Sequence, residues 1–162
     1  MDVMTLSDKK SNTFIDQLVA DYPQFKFASG KRPHWSPRSN TVIYSTDKEL
    51  PNAEASVLHE LAHALLEHND YQSDFELLKL ETEAWDLAAK LAPKYKVGIE
   101  DDYIQKCLDT YRDWLHNRST CPSCGLHSLQ QNAGSYRCFN CQTEWSVTSR
   151  RFSRSYRKAL KK

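Results

Sequence analysis

Two histidines and a glutamate lie close together in the middle of the chain, as His59, Glu60 and His63. On an α-helix, residues four apart lie on one face, so both imidazoles can reach one zinc ion. Glu60 can accept a proton from a zinc-activated water and later pass it to a leaving amine. The spacing therefore predicts a hydrolytic zinc site, with Glu60 as the catalytic base. The alternative is an ordinary helix whose two histidines are satisfied by local hydrogen bonds.

A catalytic zinc ion takes three protein ligands and keeps one position for water, so a third side chain is required. The next predicted helix carries Glu81 and Glu83, which lie about 200° apart around the axis and cannot both face the site. Glu83 adjoins Ala84 in an apolar stripe, whereas Glu81 falls nearer Lys79. We therefore predict Glu83 as the third ligand and keep Glu81 as the alternative. A further rival is His68, which lies about 140° from the face of the second histidine.

Four of the five cysteines form two Cys-x-x-Cys pairs near the C-terminus, Cys121 with Cys124 and Cys138 with Cys141. The two pairs are separated by 13 residues, which is typical of small four-cysteine zinc sites. So short a segment has little core of its own, and metal binding should accompany its folding. We predict a second, structural zinc ion bound by all four cysteines. Two disulfides are the alternative, which the absence of a secretion signal disfavours.

The charge of the chain is distributed unevenly along its length. Residues 1–118 contain 14 Lys and Arg against 20 Asp and Glu, whereas residues 119–162 contain 8 against 1. Aromatic residues are interleaved with the cations of the last segment, a composition that can pair with phosphates and stack on bases. The sequence thus predicts possible nucleic-acid contacts or, alternatively, a solvated terminus; the candidate residues are Arg150, Arg151, Arg154, Arg157 and Lys158.

Apolar periodicity and helix-terminus residues predict four helices and one small sheet before the cysteine pairs. The helices are predicted at about 7–22, 51–68, 73–93 and 100–116, and the strands at about 25–27 and 41–44. No early basic start runs into an apolar stretch, and no run of eighteen apolar residues occurs. We therefore expect neither a signal peptide nor a membrane contact, and we expect a cytoplasmic protein.

Residues 59–66 (His-Glu-Leu-Ala-His-Ala-Leu-Leu), 81–84 (Glu-Thr-Glu-Ala) and 91–93 (Leu-Ala-Pro) together resemble the ImmA/IrrE-like metallopeptidases. The family's Glu-Ala is usually followed by a small polar residue, whereas here it is followed by Trp85. The resemblance implies an α+β fold, with a mostly helical, zincin-like domain and a small sheet at 5–117. A zinc ribbon at 119–148 and a basic tail at 149–162 would follow it. The implied function is an intracellular regulatory protease that acts on a protein substrate such as a transcriptional repressor.

Two other functions fit parts of the sequence. SprT-like proteases, which act on DNA-associated proteins, also join a His-Glu-x-x-His helix to a zinc ribbon. Their third ligand, however, is a later histidine in a His-Gly context, and neither His116 nor His127 lies in one. A non-catalytic adaptor with two structural zinc ions is the other alternative. A purely structural site has no use for Glu60 beside the first ligand, so its presence favours a hydrolase.

Overall fold

The computed structural model describes residues 6–148 and 157–160, and it has the predicted α+β fold. Four α-helices and seven short strands occur within those residues, and the strands form two separate sheets. None of the helices in this described part is both long enough and apolar enough to cross a membrane.

The N-terminal part of the chain forms a helix and a three-stranded sheet. Helix α1 (Leu6–Asp21) ends shortly before Pro23, as predicted. Strands β1 (Lys26–Gly30), β2 (His34–Ser36) and β3 (Thr41–Ser45) follow it in the order β1-β3-β2. The central strand β3 runs parallel to β1 and antiparallel to β2, so β2 is an edge strand of this sheet. Both predicted strands are confirmed, and β2 is an element that the sequence did not predict.

Helix α2 (Ala53–Leu65) carries the predicted metal site and buries an apolar face that includes Leu58 and Leu61. It ends earlier than predicted, because Glu67 adopts a left-handed conformation with φ 55°. The backbone N–H groups of Glu67 and His68 then donate to the carbonyls of Ala64 and His63, at 3.1 and 2.9 Å. These two bonds define a Schellman cap, which ends the helix and turns His68 back toward it.

Helix α3 (Asp74–Leu91) begins at the predicted capping residues. The Ser73 hydroxyl accepts a hydrogen bond from the backbone N–H of Glu76, and the Glu76 carboxylate accepts one from the N–H of Gln72. Its central buried residues, Glu81, Ala84, Trp85 and Ala88, recur at helical spacing. A short 3₁₀ helix (Ala92–Tyr95), with Pro93 in its first turn, follows directly.

Helix α4 (Asp101–Ser119) precedes the cysteine module, whose four strands are all antiparallel in the order β4-β5-β6-β7. These strands are β4 (Gln130–Asn132), β5 (Ser135–Arg137), β6 (Glu144–Val147) and β7 (Arg157–Ala159). Tyr136 and Trp145 stack in the module's core with ring centroids 5.5 Å apart. Strand β7 extends the sheet beyond the predicted end of the ribbon at residue 148.

The chain divides into two compact units. One combines the chain up to Asn69 with Glu83–Glu100, and the other combines Asp70–Thr82 with the chain from Asp101 onward. The division passes through helix α3, and α4 belongs to the unit of the cysteine module. The predicted functional segments 5–117 and 119–148 stay a prediction.

Candidate metal centres

Helix α2 brings His59 and His63 together on its buried face. His59 is 7 % exposed, and its Nε2 atom lies 3.1 Å from Nε2 of His63. Two nitrogens that bind one tetrahedral zinc ion at their usual bond lengths lie about 3.3 Å apart. The two imidazoles thus have the separation that a shared metal ion requires. Trp85 stacks on the His59 ring, with centroids 4.1 Å apart and an interplanar angle of 22°, which fixes the plane of this imidazole.

The carboxylate that lies beside these histidines belongs to Glu81. One ligand atom from each of His59, His63 and Glu81 lies within 4.8 Å of the others, so the three side chains could hold a metal ion. Glu81 is 7 % exposed, which is rare for a glutamate unless its charge is compensated. Its position follows from helix geometry, because Glu81 precedes the buried Ala84 by three residues and the buried Trp85 by four.

Glu83, the residue predicted as the third ligand, is not a member of this group. Its Oε2 atom lies 3.5 Å from Nε2 of His68, and its side chain is 43 % exposed. The prediction relied on the adjacency of Glu83 to Ala84 in sequence, but adjacent residues differ by about 100° around a helix. Residues three and four apart share a face, and this rule selects Glu81. The geometry therefore favours Glu81 over Glu83 as the third metal-binding side chain.

Glu60, the predicted base, is oriented by the edge strand β2. The backbone N–H of Trp35 donates to Glu60 Oε2 at 2.7 Å, a short bond of the kind that carboxylates form. The indole Nε1–H of Trp35 also donates to the carbonyl of His68 at 3.0 Å. Trp35 thus connects β2 to the base and to the turn that follows α2. Sequence reasoning did not identify this residue, since a backbone donor leaves no signature in residue type.

His68 is 8 % exposed and does not belong to the group formed by His59, His63 and Glu81. Its Nδ1 atom lies 2.9 Å from Nδ1 of His63, which is the ring nitrogen of His63 that faces away from His59. The sequence presented His68 as a rival third ligand. The structure gives it contact with one of the two metal-site histidines and with Glu83.

The four cysteines of the C-terminal module also come together. The Sγ atoms of Cys121 and Cys141 are 3.6 Å apart, those of Cys124 and Cys138 are 3.5 Å apart, and all four thiols are free. Four sulfurs bound tetrahedrally to zinc at about 2.3 Å would lie about 3.8 Å from one another. The cluster could therefore hold a metal ion, and the alternative of two disulfides does not describe this structure.

Hydrogen bonds at the second knuckle, Cys138 and Cys141, favour the thiolates that bind metals. The backbone N–H of Cys141 points at Cys138 Sγ, at 3.5 Å, and it is the main cause that lowers the pKa of the Cys138 thiol to about 6. The side chain of Thr143 lies 3.2 Å from Cys141 Sγ and lowers the pKa of that thiol. Both thiols are thus easier to deprotonate than an ordinary cysteine, which favours metal binding at neutral pH.

A buried ion pair connects the start of α3 to the end of α4 within the second unit. Arg118 Nε donates to Asp74 Oδ2 at 2.7 Å, and the side chains are 4 % and 5 % exposed. The Tyr136 hydroxyl donates to the same oxygen at 2.6 Å, while burial and this bond raise the pKa of Tyr136. Arg118 also lies over the ring of Trp114 and donates to the carbonyl of Thr148. This network could not be predicted from the sequence, because neither charged residue lies in an apolar pattern that predicts burial.

Only part of the predicted nucleic-acid segment lies within the described residues. Arg157 and Lys158 are exposed on strand β7, where Arg157 donates to the carbonyl of Thr120 at 2.8 Å. Arg150, Arg151 and Arg154 lie outside the described residues. A nucleic-acid contact of this segment stays a prediction.

Comparison of the chain with protein-family models, with curated proteins and with solved structures gives no match. The resemblance to the ImmA/IrrE-like metallopeptidases therefore rests on the motif residues alone and stays a prediction.

Proposed function

We propose that this protein is a zinc-dependent peptidase in which His59, His63 and Glu81 bind the catalytic ion and Glu60 is the general base. The grouping of two imidazoles and one carboxylate within 4.8 Å carries the proposal. Three protein ligands leave one position open for water, which is the arrangement of catalytic zinc sites. Cys121, Cys124, Cys138 and Cys141 supply four ligands and would form the closed, structural site.

The roles of the chain's own residues follow from their geometry. A zinc ion held by His59, His63 and Glu81 would supply an acidified water and polarise the scissile carbonyl. Glu60, whose Oε2 is held by the N–H of Trp35, accepts one proton from the attacking water. As the C–N bond breaks, Glu60 returns that proton to the amine nitrogen, so that one water is consumed for each peptide bond. His59 is kept in one orientation by Trp85, which limits the rearrangement required for metal binding.

The choice of Glu81 supports a gluzincin-like enzyme over the SprT-like alternative, whose third ligand is a histidine. His116 and His127 contact each other, with ring centroids 4.2 Å apart, and neither belongs to the group of His59, His63 and Glu81. The non-catalytic adaptor is disfavoured by the presence of Glu60 directly after His59 in the sequence, because a structural ion needs no base beside its ligands. By its resemblance to the ImmA/IrrE-like family, the protein would be an intracellular regulatory protease that cleaves a protein substrate such as a transcriptional repressor.

The proposal is tested with Glu60→Gln, which keeps the shape of the side chain and an acceptor for the Trp35 N–H. We expect two zinc ions per chain in both proteins, and a loss of about 100-fold or more in the hydrolysis of unstructured protein substrates. Glu54→Gln, on the first turn of the same helix, is the matched control and should hydrolyse these substrates like the wild type. Equal hydrolysis by Glu60→Gln and wild type would refute the assignment of the base.

A further inference from the structure

We propose that His68 and Glu83 position the metal-binding imidazole of His63 through a chain of polar contacts, an inference that rests on the proposed function. His63 Nδ1 lies 2.9 Å from His68 Nδ1, and His68 Nε2 lies 3.5 Å from Glu83 Oε2. The chain of groups thus runs from a carboxylate, through one imidazole, to the imidazole that faces the metal. Metal-binding histidines commonly donate their second ring N–H to such a partner.

The tautomers follow from the direction in which each nitrogen points. His63 faces His59 with Nε2, so metal binding requires a lone pair on Nε2 and a proton on Nδ1. That Nδ1–H is directed at Nδ1 of His68, which must then be the acceptor. A neutral His68 consequently carries its proton on Nε2, the nitrogen that lies 3.5 Å from Glu83 Oε2. Each of the two contacts therefore pairs one donor with one acceptor. The same assignment of protons satisfies His63, His68 and Glu83.

His68 reaches this position because of the cap that ends helix α2. The left-handed conformation of Glu67 reverses the chain, and the N–H of His68 donates to the carbonyl of His63 at 2.9 Å. The carbonyl of His68 accepts from the indole of Trp35 at 3.0 Å. The backbone of His68 is therefore fixed on both sides, and its side chain is 8 % exposed. A residue held in this way loses little conformational freedom when its ring orients His63.

The same geometry argues against His68 as an additional metal ligand. Nδ1 and Nε2 of one imidazole point in different directions, and His63 presents Nε2 to His59 but Nδ1 to His68. An ion bound at the Nε2 atoms of His59 and His63 would therefore lie on the other side of the His63 ring from His68. We assign His68 and Glu83 as positioning residues, and neither touches the metal.

The test measures zinc affinity at the site in full-length variants with the four-cysteine site kept loaded. His68→Phe removes both ring nitrogens and retains a buried ring, and it should weaken zinc binding by about 10–100-fold. His68→Asn is the conservative variant, because its amide oxygen can accept the Nδ1–H of His63, and it should restore most of the affinity. A purely structural role would not distinguish the two variants in this way. Wild-type affinity in folded His68→Phe, or equal losses in both variants, would overturn the proposal.

A second measurement does not depend on any variant folding. Long-range ¹H–¹⁵N correlation spectra of the zinc-loaded wild type distinguish protonated from unprotonated ring nitrogens. We expect His63 to be protonated at Nδ1, and His68 to be unprotonated at Nδ1 and protonated at Nε2. A proton on His68 Nδ1 would overturn the proposal even if the peptidase is active. A wild type that binds no zinc at His59 and His63 would instead refute the proposed function, and this inference with it.

Discussion

Replacing Glu81 with alanine should remove one of three ligands from the proposed catalytic ion. Four-ligand zinc sites contribute about 10–16 kcal/mol of binding free energy, so one ligand is worth roughly 3 kcal/mol, or on the order of 100-fold in affinity. Glu83→Ala should cost about 10-fold at most, because Glu83 is 43 % exposed and reaches the site only through His68. Asp86, which is exposed on the same helix, is the matched control and should have no effect on zinc binding.

The assay is a zinc titration against a chromophoric chelator, preceded by loading of the four-cysteine site. That site has four ligands and no open position, so it should retain its ion while the second ion exchanges. Zinc per chain, measured before and after partial chelation, then reports the two sites separately. We expect Glu81→Ala to retain one ion under conditions in which the wild type, Glu83→Ala and Asp86→Ala retain two. Circular dichroism shows whether each variant is folded.

The result that would refute this reasoning is a greater loss of zinc affinity in Glu83→Ala than in Glu81→Ala. The carboxylate of the more exposed helix face would then be the ligand, contrary to the geometry of α3. Equal affinities in all the variants would show that no carboxylate of this helix binds the ion.

Two further predictions concern stability. Asp74→Ala leaves the Arg118 guanidinium buried without its carboxylate partner, and it should lower the free energy of unfolding by about 3–5 kcal/mol in urea denaturation at constant zinc. Asp21→Asn should lower the melting temperature at neutral pH and match the wild type in acid, because a hydrogen bond from Lys94 lowers the pKa of Asp21 below 3.8. A carboxyl group whose pKa is lowered on folding stabilises the folded state at pH values above its pKa in the unfolded chain. This contribution is lost as the pH falls through the pKa of the folded state.

Each of these predictions has a matched control on the same helix. Asp86→Ala should change the free energy of unfolding by less than about 0.5 kcal/mol, since the side chain is exposed. An equally small change in Asp74→Ala would contradict the importance of the buried pair. Asp16→Asn on α1 removes the same charge without the Lys94 contact. If Asp16→Asn and Asp21→Asn have the same melting temperature at every pH, the Lys94 contact contributes nothing to stability.

Much of the fold could be predicted because its elements carry strong local signals. Helix α3 begins directly after its capping residue Ser73, and its last turn is followed by Pro93, as capping rules require. Strand β2 was missed because three residues with polar and aromatic side chains show no alternation that a strand requires. The end of α2 was also missed, since a left-handed Glu67 has no residue type that announces it, unlike a glycine.

The site itself was predictable where a single helix determines it. His59 and His63 lie together because they are four residues apart on α2. The choice of Glu83 over Glu81 failed to match the geometry because sequence adjacency was given more weight than the three-and-four spacing of a helix face. The position of Trp35 beside Glu60 could not be predicted, because the contact joins residues 25 apart through a backbone donor.

Each cysteine knuckle contains one buried and one exposed cysteine. Cys121 and Cys138 are buried, whereas Cys124 and Cys141 are exposed. A bound metal at this cluster would cross-link the module as a disulfide does, yet reductants would not break the link. Electrophiles and peroxide would reach Cys124 and Cys141 first, and oxidation of either sulfur would remove a ligand from the ion. The module is therefore vulnerable to sulfur oxidation and to chelation. In a metal-free sample, an alkylating agent should modify Cys124 and Cys141 before Cys121 and Cys138.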